Sequence, residues 1–127
     1  MPEPVVGLIG CGHIGRFHSR NIRGSLRSGL VEGRYVALCD RVPGRAEEFA
    51  SFVEADVVTA DPREVLDRPG LNAVYICTET AEHPALVAEA AARGHAIFCE
   101  KPLAKSLDEV REMVRVVETA GVVTRWG

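Results

Sequence analysis

Short apolar runs alternate with longer amphipathic segments along the 127-residue chain. The short runs are continuous stretches of apolar and β-branched residues rather than strict alternations of apolar and polar positions. Continuous runs of this kind are typical of strands that are covered on both faces of a sheet. The sequence therefore predicts six strands, namely Val5–Ile9, Tyr35–Cys39, Asp56–Ala60, Ala73–Cys77, Ala96–Cys99 and Val122–Trp126.

The amphipathic segments between these strands have the residues that begin and end helices. Asp61 stands where an N-cap is expected, and Ser106 with Glu109 forms a capping box. Gly94 and Gly121 follow the last turns of two segments, as glycine does at many helix ends. The predicted helices are Ile14–Leu26, Arg45–Phe52, Pro62–Leu66, Pro84–Arg93 and Leu107–Ala120.

Strands that alternate with helices predict a parallel sheet with helices on both of its faces. Right-handed crossovers favour the strand order 3-2-1-4-5-6 in such a sheet. A length of 127 residues with 46% hydrophobic content fits one globular domain with a core of ordinary size. The predicted fold class is thus a doubly wound α/β domain, the Rossmann fold, over residues 1–127.

Charge and hydropathy remove two classes of partner from consideration. The 15 Lys and Arg residues are scattered among 18 Asp and Glu residues, for a net charge of −3. Nothing in this pattern resembles a surface that neutralises nucleic-acid phosphates. No apolar segment approaches the roughly 20 residues that cross a bilayer, and no basic segment precedes the first apolar run. We expect a cytoplasmic protein that binds neither nucleic acid nor membrane.

The four cysteines are far apart and form no C-x-x-C pair. This spacing argues against a zinc knuckle or a thioredoxin-type redox site. Single cysteines in apolar runs are usually small hydrophobic residues, so inert packing is the favoured interpretation. The alternative is a metal site or a disulfide, because the predicted topology puts Cys11, Cys39, Cys77 and Cys99 near one edge of the sheet.

The first strand leads into the segment "GCGHIG", in which Gly10, Gly12 and Gly15 have the spacing G-x-G-x-x-G. Between a strand and a helix, this spacing predicts a dinucleotide-binding loop. Gly10 would permit the tight turn, Gly12 the approach of backbone N–H groups to a pyrophosphate, and Gly15 close helix packing. His13 and Ile14, at the helix start, would lie beside the phosphates. The alternative is a tight turn with no ligand.

Asp40 follows the second strand, where a carboxylate can accept hydrogen bonds from the adenosine ribose. The alternative is a solvent-facing aspartate at a strand end. A carboxylate in this position repels the 2′-phosphate of NADP, whereas a neighbouring arginine attracts it. Arg41 follows Asp40 directly and Arg45 lies one helical turn further on, so NAD is favoured and NADP stays possible.

Two motifs together resemble those of the Gfo/Idh/MocA oxidoreductases: "GLIGCGHIGRFH" near the start, and Glu100-Lys101-Pro102 after the fifth strand. The resemblance covers essentially the whole chain. It implies an N-terminal domain that binds NAD or NADP in enzymes that oxidise or reduce sugars, cyclitols and related polyols. It further implies that Lys101 lies beside the nicotinamide and the reacting hydroxyl, and that Glu100 lies near the nicotinamide end of the cofactor.

The position of Lys101 supports a catalytic role independently of the resemblance. Ligands of open α/β sheets bind at the carboxyl ends of the strands, and Lys101 lies two residues past the fifth strand. Its amine could share in proton transfer, or it could polarise the substrate oxygen as a cation. The alternative is a solvated surface lysine. We also expect the Lys101–Pro102 peptide bond to be cis, which X-Pro bonds permit.

The family's T-P-N-x-x-H segment is matched only in part by "TETAEH". Thr78 and His83 agree with it, and we expect both near the cofactor. Glu79 and Thr80 depart from it, and Glu79 brings a negative charge near the expected path of the phosphates and ribose. His83 is either a neighbour of the nicotinamide or a residue that begins a helix.

The resemblance also implies a C-terminal substrate and oligomerisation domain, which these residues do not include. We therefore expect a chain that binds cofactor but is catalytically incomplete, with homo-oligomer formation possible. Two functions remain open: the NAD(P)-binding domain of a sugar or polyol oxidoreductase, and a free-standing module that binds or senses dinucleotides without turnover.

Overall fold

The computed structural model describes residues 2–127, with Phe52 described by its backbone alone. Its centre is a six-stranded parallel sheet in the order β3-β2-β1-β4-β5-β6, which confirms the predicted topology. The strands are β1 Val5–Ile9, β2 Arg34–Cys39, β3 Val57–Thr59, β4 Ala73–Ile76, β5 Ala96–Cys99 and β6 Thr124–Trp126. The helices are α1 His13–Arg27, α2 Arg45–Val53, α3 Pro62–Leu66, α4 His83–Ala92 and α5 Leu107–Ala120, with a 3₁₀ helix at Thr80–Glu82.

The largest differences from the predicted strand bounds lie at the two edges of the sheet. β3 and β6 are each three residues long, shorter than the apolar runs that predicted them. An edge strand pairs on one side only, so it ends where its single neighbour stops pairing. The 3₁₀ helix was not predicted, and α4 begins at His83 rather than at Pro84.

The predicted helix caps are confirmed. Asp61 Oδ1 accepts a hydrogen bond from the Arg63 N–H at 2.9 Å at the start of α3. Ser106 Oγ accepts one from the Glu109 N–H at 3.2 Å at the start of α5. Gly121 has a φ of +68° at the end of α5, a conformation that glycine adopts without strain. These contacts stabilise helix ends that the sheet alone would leave unsatisfied.

The helices cover the two faces of the sheet unequally. α4 packs on β4 and β5 and against α5 on one face, where α3 also covers β1, β2 and β3. On the other face, α1 packs on β1 and β2, while α2 packs on β2 and β3. There the rings of Tyr75 and Phe98 stack with centroids 4.7 Å apart, and both residues are half-buried.

All four cysteines are free and buried. Burial raises the pKa of the Cys11, Cys39 and Cys99 thiols to about 12, and it raises that of Cys77 as well. No group of three or more His, Cys, Asp and Glu residues within 2–127 is arranged to hold a metal ion. In the same range, no helix is both long and apolar enough to cross a membrane.

Candidate functional site

The tight turn after β1 requires glycine at position 10. Gly10 has a φ of +103°, and its N–H donates to the Cys39 carbonyl at 2.8 Å. A Cβ atom added here would lie 2.5 Å from the Cys77 carbonyl oxygen. Gly10 is therefore held between the ends of β2 and β4, with no room for a side chain.

Gly15 and Gly12 differ in what surrounds them. A Cβ atom on Gly15 would overlap the carbonyl oxygen of Gly10, so α1 packs directly on the turn. A Cβ atom on Gly12 would meet nothing within 4 Å, and the backbone of Gly12 is extended with a φ of −71°. The packing of the protein itself explains Gly10 and Gly15, whereas it leaves open space beside Gly12.

The first turn of α1 is open to an anion. Gly12 is the N-cap, and within residues 2–127 no side chain caps this helix. The first turn holds no acidic residue, and His13 and Ile14 are both exposed. Uncapped N–H groups and the positive end of the helix dipole favour negative charge at such a position.

Asp40 is a buried carboxylate that joins β2 to the glycine turn, and its side chain is only 5% exposed. Its Oδ2 accepts the Cys11 N–H at 2.7 Å, and its Oδ1 accepts the Val42 N–H at 2.8 Å. Arg45 Nη1 lies 3.5 Å from Oδ2. Since an ionised carboxylate can accept about four hydrogen bonds, Asp40 keeps acceptor capacity for a further donor.

A cavity of about 250 Å³ lies at the carboxyl ends of β1, β2 and β4. Its lining includes Gly10, Gly12, Asp40, Arg41 and Thr78. The structure thus brings together five of the residues that the sequence predicts to bind cofactor. The other predicted residues lie outside this lining: His13, Ile14, Gly15, His83, Glu100 and Lys101.

Arg41 is ion-paired with two glutamates from the opposite wall of the cavity. Its Nη1 lies 3.1 Å from Glu82 Oε1, and its Nη2 lies 3.4 Å from Glu79 Oε2. The role of Glu82 was not predicted from the sequence. The signal that could have revealed it is a second acidic residue only three positions after Glu79, close enough in the chain to reach the same cation.

His83 lies inside the fold and is 1% exposed. Its Nδ1 lies 3.0 Å from the Pro102 carbonyl oxygen, and its Nε2 lies 3.2 Å from that of Thr78. The imidazole thus connects the end of β4 to the loop after β5. Of the two sequence interpretations, this placement agrees with the one in which His83 begins a helix, since it is the first residue of α4.

Glu100 connects α1 to the backbone of Lys101. Its Oε1 accepts a hydrogen bond from His18 Nε2 at 2.8 Å, and its Oε2 accepts the Lys101 N–H at 2.9 Å. The hydrogen bond from His18 is the main reason that the pKa of Glu100 lies below its ordinary value, and the Lys101 N–H adds to the effect. This pairing was not predicted from the sequence, because it joins residues 82 positions apart.

Lys101 is exposed, and the Lys101–Pro102 peptide bond is cis, as expected. Within residues 2–127, the Lys101 ammonium makes no hydrogen bond or ion pair. An exposed cation at the carboxyl edge of the sheet, with its ammonium free of hydrogen bonds to the described residues, is able to act on a bound molecule.

Comparison with known proteins identifies the family. Residues 5–127 match the sequence model of an oxidoreductase family described as having an NAD-binding Rossmann fold. The chain belongs to the Gfo/Idh/MocA oxidoreductase family. It corresponds to the region of these proteins that forms the NAD-binding Rossmann fold.

Similarity to individual oxidoreductases supports this family assignment. The chain is 36% identical to an uncharacterized oxidoreductase, YrbE, of Bacillus subtilis, over 97% of this chain and 35% of that protein. It is 35% identical to a scyllo-inositol 2-dehydrogenase (NAD(+)) of the same species, over 94% of this chain and 34% of that protein. It also resembles an oxidoreductase from Agrobacterium radiobacter solved in complex with NAD+, L-tartaric acid and magnesium. That match has a TM-score of 0.83 and 31% identity, over 98% of this chain and 35% of the other. The chain thus spans about one third of the length of these relatives.

Proposed function

We propose that this chain is the cofactor-binding domain of a longer NAD-dependent dehydrogenase that acts on a cyclitol, sugar or related polyol. The cyclitol class is supported by the scyllo-inositol 2-dehydrogenase, which is similar over 94% of this chain. Domain organisation follows the same proposal: residues 1–127 form the dinucleotide-binding domain. A further domain of the longer protein supplies most substrate contacts and the second wall of the catalytic pocket.

The open space beside Gly12 is the observation that carries the proposal. Gly12 stands at an uncapped helix start, and nothing in the protein would meet a side chain there. A glycine that the fold does not need is explained when the backbone must approach a bulky anion such as a pyrophosphate. Asp40 fits the same ligand, because it lines the same cavity as Gly12 and keeps acceptor capacity for a further donor.

In this proposal, different residues of the chain have different roles in binding and catalysis. The start of α1 binds the pyrophosphate, and Asp40 accepts hydrogen bonds from the adenosine ribose. When bound, NAD supplies a carbon that accepts hydride from the substrate alcohol. Lys101 acts on the hydroxyl of that alcohol. Either its neutral amine accepts the hydroxyl proton as the hydride leaves, or its ammonium polarises the hydroxyl oxygen as a cation.

Two groups, the partly buried Glu100 and the buried His83, keep Lys101 in place. Glu100 holds the Lys101 N–H and is itself held by His18 on α1. His83 contacts the Pro102 carbonyl from the other side. We infer that His83 acts on the site by positioning this loop, because its imidazole is buried and faces backbone carbonyls.

The test of cofactor binding compares two glycines of α1 and its cap, both with open space around them. Gly12→Val should abolish detectable NADH binding in calorimetry, because its side chain blocks the approach to the helix start. Gly24→Val, at the far end of α1, should leave NADH affinity within about twofold, since nothing within 4 Å of Gly24 would meet its Cβ. Equal NADH affinity in the parent and Gly12→Val would contradict the proposal.

The test of catalysis follows NADH absorbance with a panel of inositols, aldoses and other polyols. The 127-residue chain should bind NADH and show negligible turnover, because one wall of a pocket cannot hold the alcohol against the nicotinamide. In the longer protein, Lys101→Ala should lower kcat far more than it weakens NAD binding. Saturable turnover by the short chain, lost in Lys101→Ala, would show that this domain is catalytically complete.

A further inference from the structure

Arg41 crosses the mouth of the cavity beside Asp40. It comes from the loop after β2, whereas Glu79 and Glu82 come from the segment after β4. All three residues line the cavity, so the ion pairs at 3.1 Å and 3.4 Å connect its two walls. The guanidinium is therefore engaged within the protein before any ligand arrives.

Local backbone structure explains why both glutamates reach the same arginine. Glu79 caps the 3₁₀ helix Thr80–Glu82, and the Glu82 N–H donates to the Glu79 carbonyl at 3.0 Å. Glu79 has an extended backbone (ψ 148°) and precedes the helix directly, so the two carboxylates are separated by one short turn of chain. They converge on Arg41 because the turn is short and points both of them across the cavity.

The charges that line the cavity favour a cofactor without an extra phosphate. Three carboxylates, those of Asp40, Glu79 and Glu82, stand against two guanidiniums, those of Arg41 and Arg45. Arg45 is already 3.5 Å from Asp40, and Arg41 is shared by the two glutamates. An arginine in a fork geometry is the side chain best suited to bind a phosphate, and here each one is neutralised by a carboxylate.

We propose that Glu79 and Glu82 are specificity-determining residues that make the chain select NAD over NADP by engaging Arg41. This inference rests on the proposed binding of a dinucleotide in the cavity. Asp40 repels a 2′-phosphate, but an unpaired Arg41 beside it would offset that repulsion. The two glutamates remove this offset and add negative charge to the opposite wall. Exposed ion pairs contribute little to stability, so recognition is the better explanation for this cluster.

The experiment measures NADH and NADPH dissociation constants by calorimetry for the 127-residue chain and its variants. Glu79→Gln/Glu82→Gln keeps the shape of both side chains and releases Arg41. NADPH should then bind at least tenfold more tightly than to the parent, while NADH affinity changes less than threefold. Adding Arg41→Gln to the double variant should remove the gain. The matched control is Glu89→Gln on α4, which releases Arg63 of α3 and should alter neither constant.

Each outcome decides the inference. If the double variant binds NADH as the parent does and its NADPH affinity is unchanged, the glutamates do not determine selectivity, although the proposed function stands. If the gain survives Arg41→Gln, simple repulsion rather than the engagement of Arg41 sets the preference, and the inference is wrong. A parent chain that binds neither cofactor would overturn the proposed function and this inference together. The single variants Glu79→Gln and Glu82→Gln should give intermediate gains, and they decide the matter if the double variant fails to fold.

Discussion

The two halves of the sheet's carboxyl edge are built in different ways. At β1 and β2, Gly10 is enclosed by backbone, and the buried Asp40 carboxylate accepts two backbone N–H groups. Past β5, Lys101 and Pro102 are both exposed, and they are held through their backbones, the Lys101 N–H by Glu100 and the Pro102 carbonyl by His83. In the proposed function, the first half binds the cofactor through a backbone whose shape is fixed by packing. The second half presents an exposed ammonium, which the proposed function assigns to the substrate and to a pocket completed by the longer protein.

The largest expected effect on stability comes from adding a side chain to the half at β1 and β2, here called the enclosed half; the half past β5 is called the exposed half. Gly15→Ala should lower the free energy of unfolding by about 3 kcal/mol or more, because its Cβ would overlap the Gly10 carbonyl oxygen and force α1 away from the turn. Gly24→Ala in the same helix is the control. It should raise stability by about 0.5–1 kcal/mol, since alanine favours helix and the space is open. Urea unfolding of both variants measures the difference, and effects of the same sign would contradict this account of Gly15.

A smaller loss is expected when the carboxylate of the enclosed half is removed. Asp40→Ala leaves the N–H groups of Cys11 and Val42 without their acceptor, and we expect a loss of about 2 kcal/mol in urea unfolding. Asp56→Ala is the control, because Asp56 is exposed and its ion pair with Arg34 is on the surface at 3.6 Å. It should change stability by less than about 0.5 kcal/mol. Equal effects of the two variants would show that the Asp40 contacts do not stabilise the turn.

The next prediction concerns the stability of the protein at acid pH, which should depend on Glu100, the residue that joins α1 to the loop after β5. Since its pKa is lowered in the folded state, the stability contributed by its ionised form is complete above the ordinary value of 4.5 and is lost as pH falls through the lowered pKa. Stability of the parent should therefore decrease more steeply below pH 4.5 than that of Glu100→Gln. His18→Gln should remove most of the difference, because the His18 hydrogen bond is its main cause. Parallel pH profiles of parent and Glu100→Gln would contradict the assignment.

The smallest effect on stability is expected in the exposed half. Lys101→Ala should change the free energy of unfolding by less than about 0.5 kcal/mol, because the exposed ammonium makes no hydrogen bond or ion pair within residues 2–127. Thermal melting of the 127-residue chain measures this. A loss above about 1 kcal/mol would show that Lys101 supports the fold, and the contrast between the two halves would fail.

Much of the fold could be predicted because its signals are local. β1, β5, α3 and α5 have the predicted bounds, and the strand order follows from the alternation of elements and the handedness of crossovers. Each of these inferences needs only residues that are neighbours in the sequence, together with a general rule. The roles of Gly10 and Gly15 could be predicted for the same reason, since their spacing is itself the signal.

The contacts that arrange the site could not be predicted, because they join residues far apart in the chain. His18 meets Glu100 across 82 positions, and Arg41 meets Glu82 across 41. Charge and polarity alone do not select such partners from 18 acidic residues. The burial of His83 depends in the same way on the loop after β5, whose carbonyls face its ring.

The buried cysteines can report local opening of the structure, because each thiol is protected from reagents while it stays buried. A thiol with a pKa of about 12 is in its thiolate form only about once in 10⁵ molecules at pH 7, and the thiolate is the reactive species. Alkylating reagents and mild oxidants therefore react with these thiols only when the surrounding structure opens. Cys39 and Cys99 end strands β2 and β5, so they lie in the two halves contrasted above. Their relative rates of alkylation, read by mass spectrometry, would report how often each half opens, with no residue added to the protein.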